Sequence, residues 1–175
     1  MMPTPSHLTK CVTRKDTVID ESPLEADVDC PCGSNMFELF YPGQTTEYNG
    51  SKIPVVAEID SVFFFLIRAR CTQCSREHLL LDKDFHGWEG FVCHDKEQAI
   101  IPRPELTKWH CLTCGKTPHQ ACIQIQTAGK QDFIEESEGM FNQDQWPDAF
   151  AWFSMRIKCT SCGLVTSEWV SYETM

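Results

Sequence analysis

The chain has 175 residues, 42% of them hydrophobic and 23% charged, which suits one ordinary domain or two small ones and excludes wholesale disorder. Twenty-five acidic residues against 15 Lys and Arg leave a formal charge of −10, which disfavours a bare electrostatic binder of DNA or RNA. The longest apolar run, Val62 to Ile67, falls far short of the roughly 20 residues of a membrane helix, and the opening Met-Met-Pro-Thr-Pro-Ser-His lacks the basic and apolar parts of a secretory signal, so a cytoplasmic location is expected.

Residues 1–28 carry little core pattern beyond Val12, Val18 and Ile19 and read as an N-terminal arm. Cys30-Pro31-Cys32-Gly33 comes next. In an extended segment residues i and i+2 point the same way, so both sulfurs can reach one point. A strand is expected over Met36 to Tyr41, stopped by the turn signal Pro42-Gly43, and another over Ile53 to Ile59. From Val62 onward the pattern alternates: Phe63, Phe65, Ile67, Ala69 and Cys71 share one face, while Arg68 and Arg70 lie on the other. A short strand at His78 to Leu81 follows the Cys71-Thr-Gln-Cys74 pair, and the Pro-rich stretch 101–108 reads as a linker. The second half repeats the order. Cys111-Leu-Thr-Cys114-Gly115 precedes an alternating segment at Ala121 to Gln126. A helix is expected over Asp132 to Phe141, within the acidic stretch holding Asp132, Glu135, Glu136, Glu138, Asp144 and Asp148. Ala151, Phe153, Met155, Ile157 and Cys159 share a strand face opposite Arg156 and Lys158, and Cys159-Thr-Ser-Cys162-Gly163 leads into a last strand at Glu168 to Tyr172.

Eight of the 11 cysteines thus form four close pairs. An odd count, no secretory signal and a chain of this length argue against a disulfide framework. Two Cys around a tight turn present both sulfurs to one ion, and a glycine after the second suits the positive φ where the chain leaves the turn. One such knuckle supplies two of the four ligands that zinc takes, so four knuckles imply two structural zinc sites. Residues 60–74 and 148–162 align without a gap, with six identities in 15: Asp60/Asp148, Phe65/Phe153, Arg68/Arg156, Cys71/Cys159, Thr72/Thr160 and Cys74/Cys162. The chain therefore reads as a tandem repeat. Cys30, Cys32, Cys71 and Cys74 are expected to hold one Zn2+, and Cys111, Cys114, Cys159 and Cys162 the other. An interleaved arrangement would need costlier non-local closure. Cys93 and His94 are candidate substitutes in the first site.

Knuckle, strand, loop, strand, knuckle, strand resembles the zinc ribbon, the rubredoxin-like class of small antiparallel zinc modules, over about 30–82 and 109–173. The pair spacing is also similar to the uncharacterised bacterial CpXC-type modules. The resemblance implies a mainly β chain with a little helix: module 1 at 29–100, the linker at 101–108 and module 2 at 109–175. The 38- and 44-residue gaps between knuckles make each ribbon an enlarged one.

Three functional classes compete. The leading expectation is a non-catalytic, bacterial or phage-type zinc protein that engages a basic protein partner through its acidic surface, as an inhibitor or immunity protein does. The second is a nucleic-acid-binding zinc ribbon using Arg68, Arg70, Arg156 and Lys158, with Phe64 and Trp152 for stacking. The third is a zinc- or cysteine-dependent enzyme, disfavoured because a catalytic zinc keeps an open position. Cys93-His94, with His86 nearby, is the weak nucleophile–base candidate. His110 and His119, beside the Cys111 knuckle, are expected to shield it or donate to a thiolate, and Cys11, Cys93 and Cys122 to be small buried hydrophobes.

Overall fold

Antiparallel pairing dominates the computed structural model, which describes residues 2–15, 23–93 and 103–175. Val18, Ile19, His94 and the first two linker residues lie outside the described residues. Two three-stranded units repeat one pattern. In the first, β3 (Phe37–Tyr41) pairs with β8 (Leu66–Cys71), which pairs with β9 (Glu77–Asp82). In the second, β11 (Pro118–Thr127) pairs with β12 (Phe150–Cys159), which pairs with β13 (Val165–Glu173). The expected alternation holds in β12, where Phe153, Met155, Ile157 and Cys159 are buried while Arg156 and Lys158 are exposed; in the first half it fails at Phe63, expected on the buried face and instead exposed.

The registers of the two units match. Phe37 stands opposite Cys71 as His119 stands opposite Cys159, and Glu38 opposite Arg70 as Gln120 opposite Lys158. The units join where β3 meets β11 antiparallel, with Phe37 opposite His119. These are corresponding residues, and an antiparallel pair centred on corresponding residues has a local two-fold axis through its midpoint. The same symmetry governs the strands that lead into the first knuckle of each half. β2 (Leu24–Val28) lies on β11, with Asp27 opposite Cys122, and β10 (Thr107–Lys108) lies on β3, with Lys108 opposite Phe40. Each half therefore lends its leading strand to the other.

The exchange changes the reading of residues 1–28. A 3-10 turn at Ser6–Leu8 and the strand β1 (Val12–Arg14), paired with β2, precede the first knuckle. Leu8, Leu24 and Ala26 are wholly buried. The segment alternates buried and half-buried residues over only five positions, too short a run to stand out as a strand without its partner. The described part of the linker also docks. Arg103 pairs with Asp82 and Asp84, and Thr107 stands opposite Tyr41 on β3.

One core serves both halves. Phe37, Leu39 and Ile67 share it with Ile123, Phe153 and Trp169. Tyr41, Trp109 and Trp169 meet edge to face across it at 5.5 and 5.4 Å, and Phe65 stacks on Tyr172 at 4.8 Å. Phe65 interrupts the run read as one strand, dividing β7 (Val62–Phe64) from β8. The strand expected at Ile53 to Ile59 is also divided. Its first part is β5 (Ser51–Pro54), paired with β4 (Thr45–Tyr48) around Asn49-Gly50, and its second is β6 (Ala57–Ile59), paired with β7 around Asp60-Ser61. Both loop residues have positive φ in each case, as two-residue hairpins of right-handed twist require. In the acidic stretch α1 (Lys130–Glu136) is shorter than the expected helix, and a 3-10 segment, Gln143–Asp148, follows. Phe133 and Trp88 form a small second core there.

The N-terminal turn is clasped to the loop after β9 by two stacked imidazoles, His7 and His86, with centroids 3.6 Å apart. His7 Nε2 is 3.2 Å from Leu80 O, and His86 Nδ1 accepts from Asp82 N–H. Burial lowers His7 to about 4, against the hydrogen bond to Leu80 and the charge of Asp148, and burial with the neighbouring His7 lowers His86 to about 3. Both rings are neutral in the fold, so the unfolded chain takes up more protons below about pH 6.5, the ordinary histidine value. Their contribution is full above that value and is lost as pH falls towards 4 and then 3. His86→Phe, which keeps a ring and removes a proton site, is expected to lose less stability than the parent between pH 7 and 5.5, read as the shift in urea midpoint of zinc-loaded protein.

Candidate metal centres

Each knuckle is a turn closed by its own backbone. Cys111 N–H donates to Lys116 O and Gly115 N–H to Cys111 O, both at 2.8 Å; Cys159 with Leu164 and Gly163, and Cys71 with Arg76 and Ser75, repeat the pattern. In the Cys30 knuckle Cys30 N–H donates to Ser34 O and Gly33 N–H to Cys30 O. That turn is one residue tighter, with Pro31 and Cys32 at its centre, so the expected extended geometry is replaced by a reverse turn that aims both sulfurs inward. Gly33, Gly115 and Gly163 have φ of 90°, 69° and 76°, and Ser75 holds the same position at 60°. A non-glycine residue in that region costs about 1–2 kcal/mol, so Ser75→Gly is expected to raise stability by up to about 1 kcal/mol in chemical denaturation.

Thr72 and Thr160 tie the second knuckle of each half to the strand after the first. Each donates through its backbone N–H and its hydroxyl to one carbonyl, Met36 O for Thr72 and Pro118 O for Thr160, at 3.0–3.1 Å. Both threonines belong to the aligned repeat, so this signal was present in the sequence.

The eight cysteines come together in two groups, Cys30/Cys32/Cys71/Cys74 and Cys111/Cys114/Cys159/Cys162, each with its four sulfurs within 4.8 Å of one another. The pairing across the groups is the same. Cys30 faces Cys74 at 3.4 Å and Cys32 faces Cys71 at 3.6 Å; Cys111 faces Cys162 at 3.5 Å and Cys114 faces Cys159 at 3.6 Å. All are thiols rather than disulfides. Four sulfurs at 2.3 Å from a tetrahedral zinc stand about 3.8 Å apart, so the donor set and its spacing fit that ion.

The local electrostatics favour the thiolate at Cys71 and at Cys159. Burial works against the Cys71 anion, yet N–H groups of Cys74 and Gln73 and its sulfur neighbours bring it down to about 6; Cys159 falls to about 7 with Cys162 and Ser161 in the same roles. Burial and the surrounding sulfurs push Cys30 up to about 12. Neighbouring thiolates repel, and a divalent cation removes the repulsion.

The other candidates stand apart from the sulfurs. Cys93, expected to be buried, is instead exposed at the end of the π-helical turn Trp88–Cys93 and belongs to neither group. His110 and His119 lie within hydrogen-bond distance of carbonyls, Gly115 O at 3.1 Å and Thr117 O at 2.7 Å, so they buttress the knuckle backbone in place of the expected donation to thiolate. Cys11 and Cys122 are buried, as expected of hydrophobic thiols, and burial pushes Cys11 up to about 11.

Arg68, Arg70, Arg156 and Lys158 do lie on one face of the joined sheet, but in two patches separated by β3 and β11. Arg68 pairs with Glu77 at 3.2 Å, Arg70 with Glu38, and Arg156 approaches Glu25 at 3.7 Å. Glu38 also takes Lys108 at 2.7 Å, and the hydrogen bond from Lys108 is the largest of the influences holding its carboxyl below the usual range, against burial and with Arg70 adding to it. Sequence reading missed Glu38, because its partners arrive from strands 32 and 70 residues away. No helix among the described residues is long and apolar enough to cross a membrane. Comparison with family models, with curated proteins and with solved structures returns no match.

Proposed function

We propose that the chain is a duplicated, enlarged zinc ribbon with two structural zinc ions, a bacterial cytoplasmic protein that docks a basic protein partner through its acidic surface without performing chemistry, as an inhibitor or immunity protein would. Four converging sulfurs saturate a tetrahedral ion and leave no position for substrate or water. A reducing compartment keeps such thiols available to metal. The matching registers and threonine ties of the two halves support duplication as their origin.

The observation that carries the docking surface is the state of the acids around α1. Asp132, Glu135, Glu136, Glu138 and Asp144 are exposed and make no ion pair among the described residues, and the apolar Met140 beside them is 69% exposed. The cations of the sheet face, by contrast, mostly have carboxylate partners already. Each four-thiolate zinc adds two net negative charges, taking the formal −10 to about −14. Electrostatics therefore favour a basic protein over nucleic acid.

Fluorescence anisotropy separates the two. At physiological salt a labelled Lys/Arg-rich peptide is expected to bind and a labelled single-stranded oligothymidine is not. Glu135→Gln, Glu136→Gln and Glu138→Gln together are expected to weaken the peptide complex roughly tenfold, three exposed pairs at about 0.2–1 kcal/mol each. Salt-sensitive oligonucleotide binding that is lost in Arg68→Glu with Arg156→Glu would establish the nucleic-acid reading instead.

A further inference from the structure

The two halves correspond residue by residue on the outward sheet face, and at one place their chemistry parts. In the first half Arg68 and Arg70 of β8 stand opposite Phe40 and Glu38 of β3. Arg70 Nε donates to Glu38 at 2.9 Å, and Lys108 donates to the other carboxylate oxygen at 2.7 Å. Both cations also lie over the Phe40 ring, 5.0 and 5.9 Å from its centroid. Arg68 has Glu77. A ring and two carboxylates thus occupy the space between the cations.

In the second half the same registers put Arg156 and Lys158 opposite Cys122 and Gln120. Val165 stands opposite Lys158 where Glu77 stands opposite Arg70. The two cations of the middle strand are kept, the lysine that lay over the ring has become Asp27 of β2, the ring has become a thiol that meets Glu25 at 3.5 Å, and the carboxylates at the Glu38 and Glu77 places have become neutral side chains. The result is an open cavity of about 370 Å3, walled by Gln120, Cys122, Arg156, Lys158 and Val165, with a second hollow of about 260 Å3 beside it over Cys122 and Arg156. Its size lies in the range of small-molecule sites. Lys158 has no ion pair or side-chain hydrogen bond among the described residues, and Arg156 reaches Glu25 at 3.7 Å.

We propose that this cavity binds a small aryl monocarboxylate, with its ring over Cys122 where Phe40 lies in the other half and its carboxylate against Lys158 and Arg156 where Glu38 meets Arg70. Charge-assisted hydrogen bonds and cation–π contact supply the attraction, as they do within the first half. The opposite wall sets the charge limit. Asp27 lies on β2 and Asp29 just after it, before the first knuckle; Lys15 neutralises Asp27 at 2.7 Å, and Asp29 remains to repel a dianion.

The zinc-loaded full chain, titrated with phenylacetate, benzylamine and inorganic phosphate while backbone amide shifts are recorded, tests this. Phenylacetate is expected to give saturable shifts at Gln120, Cys122 and Lys158, with binding weakened at least tenfold in Lys158→Glu and in Cys122→Phe, whose ring refills the space. Lys158 is exposed, so its variant keeps the fold, and amide dispersion reports whether Cys122→Phe does. No saturable shift with phenylacetate, unchanged affinity in Lys158→Glu, or benzylamine or phosphate binding as tightly would overturn the proposal.

Discussion

Two zinc ions per chain are expected by elemental analysis of protein purified without added metal, and a strong chelator is expected to unfold both halves together. Apparent binding free energies of structural four-ligand zinc sites are roughly 10–16 kcal/mol, while a domain of this size is stable by only about 5–15 kcal/mol. The metal-free chain would hold two clusters of four sulfurs with nothing to join them. Cys71→Ser removes a sulfur of the first group, at the start of the second knuckle of that half, beside Thr72 and its tie to Met36. Because β10 of the second half lies on β3 of the first, and β2 of the first on β11 of the second, damage crosses the two-fold axis. The variant should therefore lose both zinc ions in one cooperative transition. One retained zinc with half the native circular dichroism would show that the halves are independent. Iron in place of zinc would appear as colour, since both ions accept four thiolates.

Residues 1–102 and 103–175 are expected to be disordered when expressed separately and to regain structure when mixed with zinc. The cause is the strand exchange. Without residues 1–102 the second half loses β2 from the edge of β11 and with it Leu24, Ala26 and Val28, all at most 1% exposed. Burying a Leu or Val side chain is worth about 1.5–3 kcal/mol, so those two alone represent about 3–6 kcal/mol, before the ladder hydrogen bonds. The first half alone exposes Tyr41, which packs on Trp109, and Phe65, which stacks on Tyr172. Heteronuclear amide spectra of each fragment and of the mixture read the outcome directly. Well-dispersed spectra of either fragment alone would mean that the exchanged strands are dispensable.

The sequence by itself determined the β class, the two groups of four cysteines that could hold a metal ion and the strands that carry the knuckles. Those properties are local. A Cys-x-x-Cys-Gly turn brings two sulfurs together whatever lies around it, and alternation of Phe153, Met155, Ile157 and Cys159 with Arg156 and Lys158 marks one buried face over ten residues. Even Thr72 and Thr160 were legible as a repeated pair, although their carbonyl partners were not. What lay beyond the sequence was every choice of neighbour. Leu24 to Val28 is an alternating segment of five residues, and only the edge left open on β11 makes it a strand of the sheet. Phe65 continues the alternation of β7 and β8 on paper, and stacking on Tyr172, 107 positions away, breaks the strand there. Glu38 became the partner of Arg70 and Lys108, and Cys122 the floor of a cavity, through pairings between strands far apart in the chain. Local periodicity encodes which face of a strand is apolar. It carries no information on which distant strand, ring or charge will meet that face, and tertiary packing decides this by burying the most apolar surface that the hydrogen-bonded registers allow.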